Sequence, residues 1–494
     1  MILEITISLL AVAGFGLALW WVRIVLVARD AMKATMAGLS SMTDGELDDD
    51  GKEVAVRRAG LDLIVASFSI FWRFFVALAA AAAPILLADA IGLVSRDAVY
   101  TLMLRLDYII VVSVVTILLA KIFRRRRSAA TETIPKNNRY STVDRFFHVM
   151  AFSSPAVLKT ASWIEDRLLS KPTQEPSAPP IFITSLARGG TTALLNALHD
   201  IPGIATHTYR DMPFLTAPNL WNRLAGGQKR GVDRHQRAHG DGLEIDLDSP
   251  EAFEEVIWTM FWPENFRETS IALCRAEDRK PDAEQFLKRH MAKVIRARLA
   301  QGKGDAARTA RYCSKNNANI ARIPYLVEAF PSCRIIVPVR RPECHAASLL
   351  RQHQNFLKLQ AEDDFIKRYM RDIGHFDFGQ IHKPFQFPGF DAEIYHPAIG
   401  DYWLNYWIHA FREILEHSDS CIFVLQDDLR SSPQVTMTAL CSALDLAQGP
   451  LQFATYFRSS PDQSRTDLYN QRLYEEAEEL YRELERSSLN SSSS

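Results

Sequence analysis

Between residues 181 and 198 the chain reads IFITS, then LARGGTT, then ALLNAL. An apolar run, a glycine turn and a helix-spaced apolar pattern in that order predict a buried strand feeding directly into a helix. Gly189 and Gly190 let backbone amides approach an anion closely. The first helical turn adds unpartnered N–H groups and the positive end of a dipole. Arg188 supplies a fixed positive charge, and the hydroxyls of Thr191 and Thr192 can donate to phosphate oxygens. The chemistry is that of holding a phosphate. The common nucleotide loop, GxxxxGK followed by Ser or Thr, is not present, because Gly190 is followed by Thr191 and the lysine that reaches the phosphates is missing.

A second cluster lies at 334–350, RIIVPVRRPECHAASLL: a strand, then Arg340-Arg341-Pro342, then a helix carrying Ser348. A guanidinium is a forked donor suited to phosphate, and a serine hydroxyl completes such a contact. Together the two clusters resemble the PAPS-dependent sulfotransferases, of the membrane-anchored bacterial type; PAPS is 3'-phosphoadenosine 5'-phosphosulfate. The 5'-phosphosulfate loop of that family usually reads lysine or arginine followed by S-G-T-T. Its 3'-phosphate is held by an arginine ending a strand and a serine eight positions later, as Arg340 and Ser348 are spaced. Two departures stand out: Gly189 where the family normally has serine, and Arg341 where it more often has Asp or Asn. The likeness continues through SKNNANIARIPYLVEAFPSCRIIVPVR, the helix around Trp403 and Trp407, and CIFVLQDDL, so that it covers most of 180–447.

The resemblance implies an α/β domain, P-loop-like, with a mostly parallel central sheet flanked by helices. It implies PAPS as co-substrate, no metal, and transfer of a sulfuryl group to a hydroxyl of a lipid, a glycan or another small acceptor. Such transfer needs the donor pinned, the leaving phosphate neutralised and the acceptor deprotonated. Arg188, Gly189, Gly190, Thr191, Thr192, Arg340 and Ser348 are the implied donor clamps. Lys315, in YCSKNN, stands where the family often has a lysine beside the bridging oxygen. For the base, HTYRDMPFL offers Asp211, with His207 as the rival imidazole. Glu244, Glu251, Glu254 and Glu255 follow, the last two read as solvated helix-surface acids. The other-class alternative is a P-loop-type kinase or ATPase, for which only Asp427 and Asp428 offer metal-binding acids after an apolar strand. A catalytically dead scaffold would have no need to keep Arg188, Lys315, Arg340 and Ser348 together.

These elements sit in a chain of 494 residues, 48% hydrophobic and 23% charged, with net charge -1. Global disorder is excluded, and so is the broad basic footprint of a nucleic-acid binder. None of the six cysteines forms a CxxC pair, which points to reduced thiols. The long apolar runs predict three transmembrane helices, at about 2–22, 65–87 and 108–123. The first is too long and too acidic at its start, at Glu4, for a cleaved signal peptide. Arg73 interrupts the second and reads as facing another helix or snorkelling. Basic residues between Arg29 and Gly60, and again at Arg124–Arg127, predict a multi-pass protein with its catalytic domain in the cytoplasm. The expected division is a membrane domain at 1–127, a juxtamembrane connector at 128–178 ending in SKPTQEPSAPP, and the sulfotransferase-like domain at 179–494. The basic stretch 221–239 reads as a surface loop and Leu473–Arg486 as a helix.

Overall fold

The computed structural model describes residues 2–22, 27, 49–104, 108, 112, 142–169, 178–224, 235–236, 244–245, 248–300, 310–447, 450–457 and 466–489. They fall into two compact units, Met1–Asn137 and Asn138–Ser494.

In the first unit the Ile2–Trp21 helix packs against a long helix, Asp49–Ala90. Gly14 permits the contact, since a Cβ there would lie 2.9 Å from the Ala80 carbonyl oxygen. Arg73 has a definite task in this pair. Its Nε donates to the Val22 carbonyl at 2.9 Å, and a second nitrogen donates to the Ser69 carbonyl at 3.4 Å. The guanidinium therefore satisfies a carbonyl left over at the C-terminal end of the first helix. The long helix begins at Asp49, ahead of the apolar run, and its polar start holds good helix formers such as Lys52, Glu53 and Arg57.

The multi-pass topology is not supported. Among the described residues one helical stretch, Ile64–Ala90, is long and apolar enough to cross a bilayer, and the apolar part of the first helix, Leu3–Leu19, is shorter. At 1.5 Å per residue that part reaches about 25 Å, short of a hydrocarbon core of roughly 30 Å. The third expected span, 108–123, lies outside the described residues except for Tyr108 and Val112. The cytoplasmic placement, which depended on counting three crossings, falls with the topology.

The second unit is built on a five-stranded parallel sheet: β1 (Ile181–Ile183), β2 (Ile204–Ala205), β3 (Arg311–Lys315), β4 (Arg334–Val339) and β5 (Cys421–Leu425), in the order β2-β3-β1-β4-β5. Strands covered on both faces read as continuous apolar runs, as IFI does here. Alternate residues serve opposite cores. Phe182, Tyr312, Ile335 and Val337 join the aromatic helix Gly400–Leu415 on one face. Ile181, Ile183, Cys313 and Ile336 meet the helices Thr191–His199 and Pro433–Ala443 on the other.

From β1 the chain runs outward to β2, returns to β3, and then crosses to β4 on the far side of β1. Strand order thus reverses at β1, and the crevice beyond its C-terminal end is where open parallel sheets bind ligands. The register pairs Ile183 with Lys315 on one side and with Ile336 on the other, which sets Lys315 beside the end of β1.

Part of the stretch expected as a connector is folded into this unit. The helices Thr142–Ala151 and Pro155–Leu168 precede the sheet. Thr216 Oγ1 donates to the Leu158 carbonyl at 2.7 Å, and the Glu165 carboxylate receives Asn219 Nδ2 at 2.9 Å and the Leu220 amide at 2.8 Å. Residues 170–177 lie outside the described residues, as does most of the basic stretch 221–239. A small antiparallel ribbon pairs His235–Gln236, inside that stretch, with Glu244–Ile245 beyond it. The helix Gln471–Arg486 buries Leu473, Ala477, Leu480, Tyr481 and Leu484.

Candidate active site

Beyond Ile183 the chain turns through Thr184–Gly190 into the Thr191–His199 helix. Two residues of the turn take positive φ, Arg188 at 70° and Gly190 at 96°. Between them Gly189 has no room for a side chain: a Cβ would lie 2.6 Å from Ser185 Oγ and 3.1 Å from His345 Cε1. The serine usual in the resembled family is excluded by those two neighbours. Ser185 Oγ donates to the Pro338 carbonyl at 2.9 Å. His345 Nε2 lies 2.8 Å from the Ala187 carbonyl oxygen, which can only accept, so this nitrogen carries the hydrogen. Burial first, and then the Arg340 charge, hold the His345 pKa at about 3, so the ring is neutral.

The loop draws the two sequence clusters together. Arg340 donates to the Arg188 carbonyl at 3.2 Å, and Arg188 Nε donates to Ser348 Oγ at 3.3 Å. Arg188 thus joins Arg340 through its backbone and Ser348 through its guanidinium, where the ends of β1 and β4 adjoin the Pro342–Glu362 helix. Thr191 Oγ1 donates to Asn317 Oδ1 at 3.2 Å, tying the start of the loop's helix to the end of β3. Thr192 follows in the same first helical turn. Arg341 turns elsewhere: its Nε donates to Asp427 Oδ2 at 2.8 Å and its guanidinium lies 5.3 Å from the Tyr481 ring centre.

Lys315, the last residue of β3, is buried, with Nζ 3.4 Å from Glu251 Oε1. Glu251 also accepts the Tyr209 hydroxyl at 2.8 Å and the Ala252 amide at 2.9 Å. Glu254 and Glu255, expected on a solvated helix face, are buried. Glu254 accepts from the Tyr312 hydroxyl at 2.9 Å, and Glu255 is held by both ends of the Arg322 guanidinium at 2.8 and 2.9 Å. Buried carboxylates persist only when paired in this way. Glu244 lies in the ribbon strand.

Asp211 and His207 are sealed into a charge network rather than presented to a substrate. Asp211 is fully buried; Oδ1 accepts from Arg298, and Oδ2 accepts from the Thr208 amide at 3.1 Å and faces His207 Nδ1 at 3.0 Å. Burial alone would raise its pKa, but Arg298 and His207 outweigh that and hold it at about 2. His207 uses its other nitrogen on His290, Nε2 to Nε2 at 2.8 Å. Burial, and next His207 itself, keep His290 neutral. Every polar edge of Asp211 and His207 therefore has a protein partner, which makes them supports of the wall and not a proton acceptor in reach of a ligand. Arg298 and His290 sit in the Pro281–Leu299 helix, and no motif in the sequence marks them.

Beside the loop opens a cleft whose walls include Ala187, Asn316, Asn317, His375, Phe376 and Trp403. Ligand sites commonly combine aromatic walls with a few polar groups in this way.

Fold and loop together define a parallel α/β protein with a glycine turn into a helix at its switch point. Residues 179–388 match the model of the sulfotransferase family, a span that holds β1 to β4 with both phosphate clusters, and the chain carries a sulfotransferase domain. It is an enzyme of that class. Among solved structures it is similar to sulfotransferase STF1 from Mycobacterium tuberculosis H37Rv, at 13% identity and TM-score 0.38, over 70% of this chain and 88% of that one. It is also similar to sulfotransferase STF9 from Mycobacterium avium, at 13% identity and TM-score 0.40, over 70% and 86%. A sulfotransferase from Alicyclobacillus acidocaldarius follows at 12% identity and TM-score 0.31, over 64% and 95%. No curated protein sequence matches.

Two outcomes follow from this geometry. Asp211→Asn leaves Arg298 without a buried counter-charge and should destabilise the protein by about 3 to 5 kcal/mol in urea unfolding. Because the folded-state pKa of Asp211, about 2, is depressed, its contribution is full above about pH 4 and is lost as pH falls toward 2; the Asn variant should lose stability less steeply over that range. Gly189→Ala should cost about 1 to 3 kcal/mol through overpacking. Ser185→Gly in the same chain should recover part of it, which a double-mutant cycle reads directly.

Proposed function

We propose that this protein transfers a sulfuryl group from PAPS to a hydroxyl of a lipid, a glycan or another small acceptor, and that the Ile64–Ala90 helix anchors it in a bilayer. The observation that carries the donor reading is the meeting of Arg188, Arg340 and Ser348 beside a glycine turn that opens a helix. PAPS has two anionic ends. Gly189, Gly190, Thr191 and Thr192 suit the 5'-phosphosulfate, which gains from backbone N–H groups at a helix N-terminus. Arg340 and Ser348, with Arg188 beside them, suit the 3'-phosphate. Lys315 would stabilise negative charge growing on the 5'-phosphate oxygen as the bond to sulfur breaks, and Glu251 holds that ammonium in place. Asp211 and His207 take no part in proton transfer on this reading. A kinase reading is weakened further by Asp427, one of the two acids it would need for a metal, since that carboxylate is paired with Arg341.

The donor reading is tested by calorimetry. Adenosine 3',5'-bisphosphate should bind far better than ATP, which lacks the 3'-phosphate, and equal affinities would favour a kinase. Arg340→Ala should weaken bisphosphate binding by about 2 to 5 kcal/mol, as for loss of one member of a buried charge pair. Ser348→Ala should weaken it by about 1 kcal/mol.

Anchoring is supported by the large side chains that the long helix leaves exposed, among them Phe68, Phe71, Trp72 and Phe75. The full chain should stay in the membrane fraction through an alkaline carbonate wash and leave it with detergent. Release by carbonate alone would remove the bilayer from the proposal.

A further inference from the structure

The cleft beside the phosphate-holding loop contains an imidazole to which the chemistry so far gives no role. His375 shares that open space with Ala187 of the loop and with Asn316 and Asn317 at the end of β3. Its Nε2 lies 3.0 Å from the Ala252 carbonyl oxygen. A carbonyl only accepts, so Nε2 carries the hydrogen and the neutral ring keeps its lone pair on Nδ1. Among the described residues that nitrogen has no hydrogen-bond partner. Ala252 is the residue after Glu251, so one short segment holds both the ring and, through Glu251, the Lys315 ammonium.

The backbone before the ring is also fixed. Gly374 has φ of 77°, and a Cβ there would lie 2.6 Å from Glu255 Cγ, which leaves no room for a side chain. The charged groups around His375 are Asp377, Glu251, Glu255 and Lys315. Burial lowers its pKa most, Asp377 and Glu251 push it back up, and Lys315 pushes it down, so the ring is neutral near pH 7. His207, in contrast, has both nitrogens occupied.

We propose that His375 is the general base of the transfer, a role that rests on the sulfotransfer reading above. The acceptor hydroxyl gives its proton to Nδ1 while its oxygen forms the new bond to sulfur. The bond between sulfur and the bridging 5'-phosphate oxygen breaks, and its electron pair leaves on adenosine 3',5'-bisphosphate, next to Lys315. Glu251 and Asp377 favour the imidazolium so formed, which returns its proton to water.

The test uses the full chain in detergent and follows release of the bisphosphate from PAPS with water as the acceptor, so the natural acceptor need not be known. His375→Gln should lower turnover about 10² to 10⁴-fold. Bisphosphate affinity should stay within about threefold, because the ring is not asked to hold the donor. The acid limb of turnover against pH should disappear, and added imidazole should restore part of the activity of His375→Ala. In the unaltered chain that limb should lie below pH 6.5, a measurement that stands even if neither variant folds. Turnover of His375→Gln within about threefold of the parent, or a parental acid limb above pH 6.5, would overturn the assignment. A chain that neither binds the bisphosphate nor releases it from PAPS overturns the sulfotransfer reading itself, and this proposal with it.

Discussion

The absence of room at position 189 is the constraint around which the site is arranged. Ser185 and His345 occupy the volume that a side chain there would need, so the turn after β1 closes with backbone alone facing outward. Arg188 is then forced to positive φ, a conformation that a non-glycine residue keeps only when its surroundings over-determine it. They do so here from both sides: His345 holds the carbonyl before Arg188 and Arg340 holds the carbonyl of Arg188 itself. The same guanidinium that suits a phosphate therefore also fixes the turn that presents the others. That contact couples the two sequence clusters, although they are far apart in the chain.

The walls of the site rely on a different device. Between β2 and β3 the described residues bury several charges, most of them in ion pairs. Asp211 has Arg298 and His207, Glu255 has Arg322, and Glu251 has Lys315. Isolated charges in such an interior would be neutralised or expelled. Paired, they fix the orientation of the segments that carry them, since breaking one pair leaves its partner exposed to a low dielectric. Acids that look like proton acceptors by type and position are thereby bound as supports, while the neutral imidazole at His375 lies on the wall of the cleft.

The first unit follows simpler rules. Its long helix leaves large apolar side chains exposed, and Arg73, within the apolar run, finds a backbone carbonyl at the end of the neighbouring helix. Hydropathy overcounted the spans here because an apolar run and a helix long enough to cross a bilayer are different things: Leu3–Leu19 has the composition without the length.

The amino-acid sequence by itself determined the sheet-forming runs, the glycine turn after IFITS and the arginine–serine spacing at Arg340 and Ser348. Each of these is a local pattern in which residue type and periodicity carry the physics. It also named Lys315 and, further down its order of candidates, Glu251. Only the tertiary structure decided which acids are paired with an arginine. Asp211 and Glu255 are paired by Arg298, in the Pro281–Leu299 helix, and Arg322, the N-cap of the Ile323–Ala329 helix, both tens of residues away. His375 was invisible for the same reason, since what distinguishes it is a carbonyl at Ala252 and a cleft shared with the loop. A side chain's chemistry is written in the chain, but its protonation and reach depend on neighbours that only folding brings near.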